Sequence, residues 1–274
     1  MMVRYLLVAA MVMGAGWTQL QAQEISLVSL TDHKTILLGQ SVQTEPVEIK
    51  LASPVAAEML IGIAVGDVLP QHQGRELVVL RSDRHLEFYP LPDSKTSILK
   101  RYGYCPLANP AKREAVSIAI ADGQLIALAK VDDTGWQYAE TFALDALTLS
   151  QSIKRSNYIS LKSADSPHQP LQRLDAVTNV PWTGVEEMVL LSTAADTFFE
   201  LYKTNKTAGQ RLGQGFKQAG KVTPIGARWF GHRIVTLYQD GSLAEFDQTL
   251  PSPRIVKVRP TQHVGVVDFV VFEN

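Results

Sequence analysis

The chain has 274 residues, 46% of them hydrophobic and 19% charged, with a formal net charge of −1. That length suits one large β domain or two ordinary ones, with enough apolar material for a sizeable core. Near-neutral charge, with basic residues scattered in pairs such as Lys100-Arg101 and Lys154-Arg155, gives no electrostatic footprint of a nucleic-acid or anionic-membrane binder.

The first element is a leader. Arg4 supplies one positive charge, Tyr5 to Trp17 is apolar but too short to span a bilayer, and a polar exit passes the small residue Ala22. Residues 1–22 therefore read as a secretory signal peptide, and the mature chain as an exported protein of the periplasm or the extracellular space. No cysteine stands at the cleavage point for a lipid anchor, and no second apolar run reaches the length of a membrane span. Cys105 is the single cysteine, so an intramolecular disulfide is excluded. No histidine is near it in sequence, and a packed structural thiol is the expectation rather than a nucleophile.

From residue 24 the chain reads as strands. ISLVSL, KTILLG and VEIKLAS fill 24–54. A four-strand unit follows: IGIAVGDV, ELVVLRSD, HLEFYPL and SILKRYGY. The pattern returns as AVSIAIA, QLIALAKVDD, GWQYAETFAL and a strand within LTLSQSIKRSNYISL. It returns again as LDAVTNV, EMVLLSTAAD and TFFELYK. The last full copy is VTPIGARWF, HRIVTLYQDGSLAEFD and PRIVKVRP, where IVTLYQDGSL overlays LVVLRSDRHL without a gap. HVGVVDFVVFEN then supplies one more first strand. Copies beginning near residues 61, 116, 174, 222 and 264 recur roughly every 40–60 residues, the spacing of four-stranded propeller blades.

The expected fold is therefore all-β: a five-bladed β-propeller forming a single domain over 24–274. Four blades lie near 60–107, 115–163, 173–218 and 222–260. The fifth is composite, joining 264–274 to 24–54, so that strands from both termini close the ring and leave no open sheet edge there. The alternative is a pair of β-sandwiches, which does not account for the recurrence of an apolar run, an acid and an aromatic strand.

Gly66-Asp67-Val68, Gly74, Glu76 to Val79, Leu86 and Tyr89 make the first unit resemble the FG-GAP/VCBS-type repeat of exported propellers. The resemblance extends as a loose pattern over about two thirds of the mature chain. It implies a propeller with an adhesive or binding role. Such repeats often carry an Asp-rich calcium loop. Here the segment after Asp67 is Leu69-Pro70-Gln71-His72-Gln73-Gly74, and the third copy has Asn179 to Gly184, both poor in carboxylates. No metal and no cofactor is expected.

Candidate sites follow from the repeat. Asp67, Asp122, Asp175 and Asp268 recur on first strands, with Arg228 in the fourth copy, and would converge on a central channel. Paired carboxylates there could serve glycoside hydrolysis, but Asp67 and Asp122 are better read as turn caps bonding local backbone N–H groups, and no glycosidase motif is present. Trp182 and Trp229 follow first strands at similar places; inter-blade packing accounts for them first, and they could otherwise stack on a sugar or anchor a protein, while Trp136 lies near a strand end. The histidines show no zinc spacing and read as surface or turn residues, no phosphate loop or nucleophile elbow appears, and Asn205-Lys206-Thr207 fits a glycosylation acceptor only weakly. The sequence favours a monomeric, non-catalytic binding module for a protein or glycan partner, with ligand-binding residues Trp182, Trp229, Asp67, Asp122 and Arg228 and no catalytic residue assigned. The alternatives are a secreted glycan-active enzyme using channel carboxylates and a lectin-like sugar binder.

Overall fold

The structure is a computed structural model that describes residues 25–41, 44–52, 59–93, 95–109, 112–121, 123–130, 137–143, 149, 153–161, 171–177, 189–194, 199–204, 209–215, 222–231, 233–247 and 254–273. The leader, Asp122, Trp136 and Trp182 lie outside them, as do His168, His232 and Asn205 to Thr207.

Among the described residues the chain is all-β. The strands are β1 (Ile25–Thr31), β2 (Thr35–Gly39), β3 (Val47–Ala52), β4 (Leu60–Gly66), β5 (Glu76–Arg81), β6 (His85–Pro90), β7 (Ile98–Lys100), β8 (Gly103–Pro106), β9 (Glu114–Ala121), β10 (Gln124–Lys130) and β11 (Gln137–Ala143). They continue with β12 (Arg155–Ser160), β13 (Leu171–Val177), β14 (Val189–Ala194), β15 (Phe199–Thr204), β16 (Gly209–Gly215), β17 (Pro224–Phe230), β18 (Arg233–Tyr238), β19 (Ser242–Phe246), β20 (Ile255–Pro260) and β21 (Val266–Glu273). No described helix is long and apolar enough to cross a membrane.

The arrangement is propeller-like. Four antiparallel sheets of four strands run β4-β5-β6-β8, β9-β10-β11-β12, β13-β14-β15-β16 and β17-β18-β19-β20. A further sheet of five strands runs β21-β1-β2-β3-β7, and in it the first and last strands of the chain pair antiparallel from Ile25↔Glu273 to Thr31↔Val266. The leading strands neighbour one another in the cyclic order β4, β9, β13, β17, β21 and back to β4. They therefore line the centre, and the apolar faces of successive sheets stack between them. One such core joins Val78, Leu86, Phe88 and Cys105 of one sheet to Ile118, Ala127 and Phe142 of the next. Another joins Tyr89 and Leu77 to Ile36, Ile49 and Val270.

The expected strand SILKRYGY divides in two. Leu99 and Cys105 are six positions apart, so on one straight strand both would face the same side. They are buried in different cores instead. The chain therefore breaks between them: β7 pairs parallel with β3 of the composite sheet, and β8 supplies the outer strand beside β6.

The turns obey local chemistry. Asp83 and Asp240 each accept the N–H two residues on, at 3.2 and 2.9 Å, as the gapless overlay of the two hairpins requires. Cys105 is fully buried, and desolvation pushes its thiol up to about 12, so it packs as a small apolar side chain.

Candidate functional site

Three of the sequence-derived candidates meet on the axis. Asp268, on β21, is fully buried. Its Oδ2 accepts the Ile63 N–H of β4 at 2.9 Å, while Oδ1 accepts the Phe269 N–H at 2.9 Å and bonds the Arg228 guanidinium of β17. Arg228 also donates from Nε to the Phe269 carbonyl and from Nη1 to the Leu174 carbonyl of β13, each at 2.6 Å. Asp175 accepts the Trp229 N–H at 2.7 Å and the Ala176 N–H at 2.9 Å. Burial raises the Asp175 carboxyl above its ordinary value, with Arg228 and those two N–H groups opposing.

Arg173, which the sequence reading did not single out, completes the belt. Its Nη2 donates to the Val267 carbonyl of β21 at 2.6 Å, Nη1 reaches the Val116 carbonyl of β9 at 3.4 Å, and Nε lies 3.5 Å from Asp268 Oδ1. Burial pulls its pKa down, with Asp268 countering. Two arginines and two aspartates thus tie the five leading strands together.

Beside this belt lies a cavity of about 140 Å³, lined by residues of all five leading strands, among them Ile63, Ile118, Asp175, Arg228, Trp229 and Val270. Ligand pockets usually enclose about 300 Å³ or more. Asp175 is the single carboxylate on its described lining. Trp229 lies within β17, is buried and is among the residues lining the cavity, so it is not exposed as a stacking platform. Asp67 is exposed in the loop after β4 and is not on the cavity's described lining. Within that loop the Glu76 carboxylate accepts the Val68 N–H at 2.9 Å, closing the turn with a protein group. No group of three or more His, Cys, Asp or Glu side chains able to hold a metal is found among the described residues.

A second pattern also escaped the sequence reading. The third strand of three sheets carries a glutamate with almost no exposure, each held by arginines. Glu87 meets Arg81 at 3.3 Å and Arg101 at 2.7 Å, and the Tyr89 hydroxyl at 2.7 Å. Glu140 meets Arg84, Arg113 and Arg155 at 2.9, 3.0 and 2.8 Å. Glu245 meets Arg233 at 2.6 Å and also Arg259. The signal was a glutamate one or two positions before a phenylalanine, as in Glu87-Phe88, Glu140-Thr141-Phe142 and Glu245-Phe246.

His263, expected at the surface or in a turn, lies in the connection between β20 and β21 but is fully buried. It shares a hydrogen bond of 2.7 Å with Ser29 Oγ of β1. It packs so close to β2 that a Cβ on Gly39 would stand 2.6 Å from its Nε2. Desolvation lowers its pKa to about 4.

No family model and no curated protein matches the chain. Among solved structures, the crystal structure of Chaetomium thermophilum Raptor is similar over 86% of this chain and 21% of that one, with 9% identity and a TM-score of 0.45. The chain spans about a fifth of Raptor's length.

Proposed function

We propose that the chain is an exported, non-catalytic interaction module: a five-bladed propeller of degenerate FG-GAP/VCBS-type repeats, sealed by its terminal strands, that engages its partner on the outside of the ring. The observation that carries this reading is how the axial acids are used. Both oxygens of Asp268 are bonded within the belt, and one carboxylate alone faces a cavity too small for a sugar ring and its hydration. An acid–base pair for glycoside hydrolysis needs two carboxyls flanking an open cleft. The blade count rests on the cyclic order of the leading strands and the β1–β21 ladder. Export rests on the charged start and short apolar run of residues 1–22.

Cross-linking of the processed chain in its native extract, read by mass spectrometry, is expected to place a partner on outer strands. The exported product should begin near residue 23. Retention of Met1 overturns the export reading, and glycan turnover that disappears in Asp175→Asn overturns the non-catalytic one.

A further inference from the structure

We infer that the outer rim around β12 is a docking surface for an acidic segment of a partner protein; this rests on the chain being an interaction module and names the surface and the partner's chemistry. Two basic pairs far apart in sequence converge there. Lys112-Arg113 leads into β9 and Lys154-Arg155 leads into β12, and Arg113 Nη1 and Arg155 Nη1 donate to the same oxygen, Glu140 Oε1, at 3.0 and 2.8 Å. Arg84, from the neighbouring sheet, takes Oε2 at 2.9 Å.

One buried carboxylate is thus saturated by three guanidinium groups, and no other described acid forms an ion pair with them. Arg84 Nε and Arg113 Nε have no described acceptor. Lys112 and Lys154, both exposed, pair with no described acid and add two more cations. On a molecule whose net charge is −1, this is a local concentration of positive potential.

The patch is also rigid and aromatic. Tyr158 is 43% exposed, and its ring lies 5.0 Å from the Arg155 guanidinium and 5.2 Å from that of Arg113. Arg113 sits 3.9 Å from the Tyr138 ring, which meets Tyr158 edge-on at 5.6 Å. Buried Glu140 on one side and ring faces on the other fix the guanidinium planes before any partner arrives, which lowers the ordering cost of binding. A parallel bridge between Leu107 and Ile153 fastens the adjoining sheet's outer strand alongside, and β8 bears Tyr104, 41% exposed, under Arg101. Tyr and Arg dominate the energetics of protein–protein contacts, and the sign of the surplus selects a carboxylate-rich segment.

The test uses the processed chain with a labelled oligoglutamate peptide of about ten residues, an oligoglutamine control and a sulfated oligosaccharide of equal charge. Expected results are salt-sensitive binding of oligoglutamate only, weakened at least about tenfold in the Lys112→Glu/Lys154→Glu variant at unchanged melting temperature, and weakened also by Tyr158→Ala. Three results overturn the inference: no oligoglutamate binding, equal binding by the double variant, or tighter binding of the oligosaccharide with the same dependence on Lys112 and Lys154. A native partner that still cross-links to the double variant leaves the interaction-module reading standing and removes this surface. Loss of any partner from the wild-type chain removes both.

Discussion

Arg84 occupies a backbone position that glycine takes elsewhere in the same chain. In the equivalent hairpin Gly241 has φ 79°, whereas Arg84 has φ 63° and is buried. A left-handed conformation costs a non-glycine residue about 1 kcal/mol or more. Its guanidinium offsets that by crossing to Glu140 and to the carbonyls of Arg113 and Ala108 at 3.0 and 3.3 Å. Arg84→Gly relieves the strain but severs the tie, and Glu140 keeps two arginines. The expected loss in urea unfolding is about 1–3 kcal/mol, with Arg84→Ala losing more because the strain persists. A glycine variant more stable than the wild type contradicts this balance. His263 sets a pH dependence of its own. Its pKa is about 4 folded against 6.5 as the ordinary value, so the stabilisation of the neutral ring is complete above pH 6.5 and lost as pH falls from 6.5 to 4. The stability difference between wild type and His263→Gln should shrink by roughly 3 kcal/mol over that window. A constant difference places the imidazole in water.

At the scale of the element, β21 is held by Asp268 as well as by its ladder with β1. Asp268→Asn leaves Arg228 charged and buried beside a neutral amide, and the expected cost is about 3–5 kcal/mol by chemical denaturation. Replacing both, as Asp268→Leu with Arg228→Met, should recover much of that loss, because an apolar pair carries no desolvation penalty. A double variant no better than the single one assigns the belt's worth to Arg228's carbonyl bonds instead. Most strands were legible in the sequence because their apolar runs are short, bounded by Gly, Pro or Asp, and repeated. Asp175, Asp268 and Arg228 were legible as axial groups because first strands line the centre of a propeller. The rest depended on contacts with no local signature. Arg173 bonds a carbonyl 94 residues away, and the split of β7 from β8 follows from which core each side chain enters. The arginines around the glutamates come from different strands and from the segments between them, and Arg84 reaches Glu140 from the hairpin turn of a different sheet. Trp229 stands beside a strand end at a place similar to that of Trp182 in its copy, which suits a stacking aromatic, yet it lies within a leading strand whose every residue is buried.

For the whole molecule, the consequence of the β1–β21 ladder is that the two ends of the chain stabilise each other. Removing residues 264–274 strips β1 of its inner neighbour and takes Asp268 from the belt. It also deprives β4 and β17 of the strand between them. Such a loss does not stay local, because each leading strand is packed between two others and β1 is left with an unpaired edge. The truncated chain is therefore expected to lose its cooperative thermal transition and to aggregate. A synthetic peptide of residues 264–274 should restore the transition, with a melting temperature that rises with peptide concentration. The gain approaches about 2.7 kcal/mol at a hundredfold excess over Kd. The same peptide carrying Asp268→Ala should rescue far less, since backbone pairing with β1 remains but the bond to Arg228 does not. A truncated chain that melts at the wild-type temperature makes the terminal ladder an ornament of the sheet rather than its closure, and equal rescue by both peptides removes the belt from that closure.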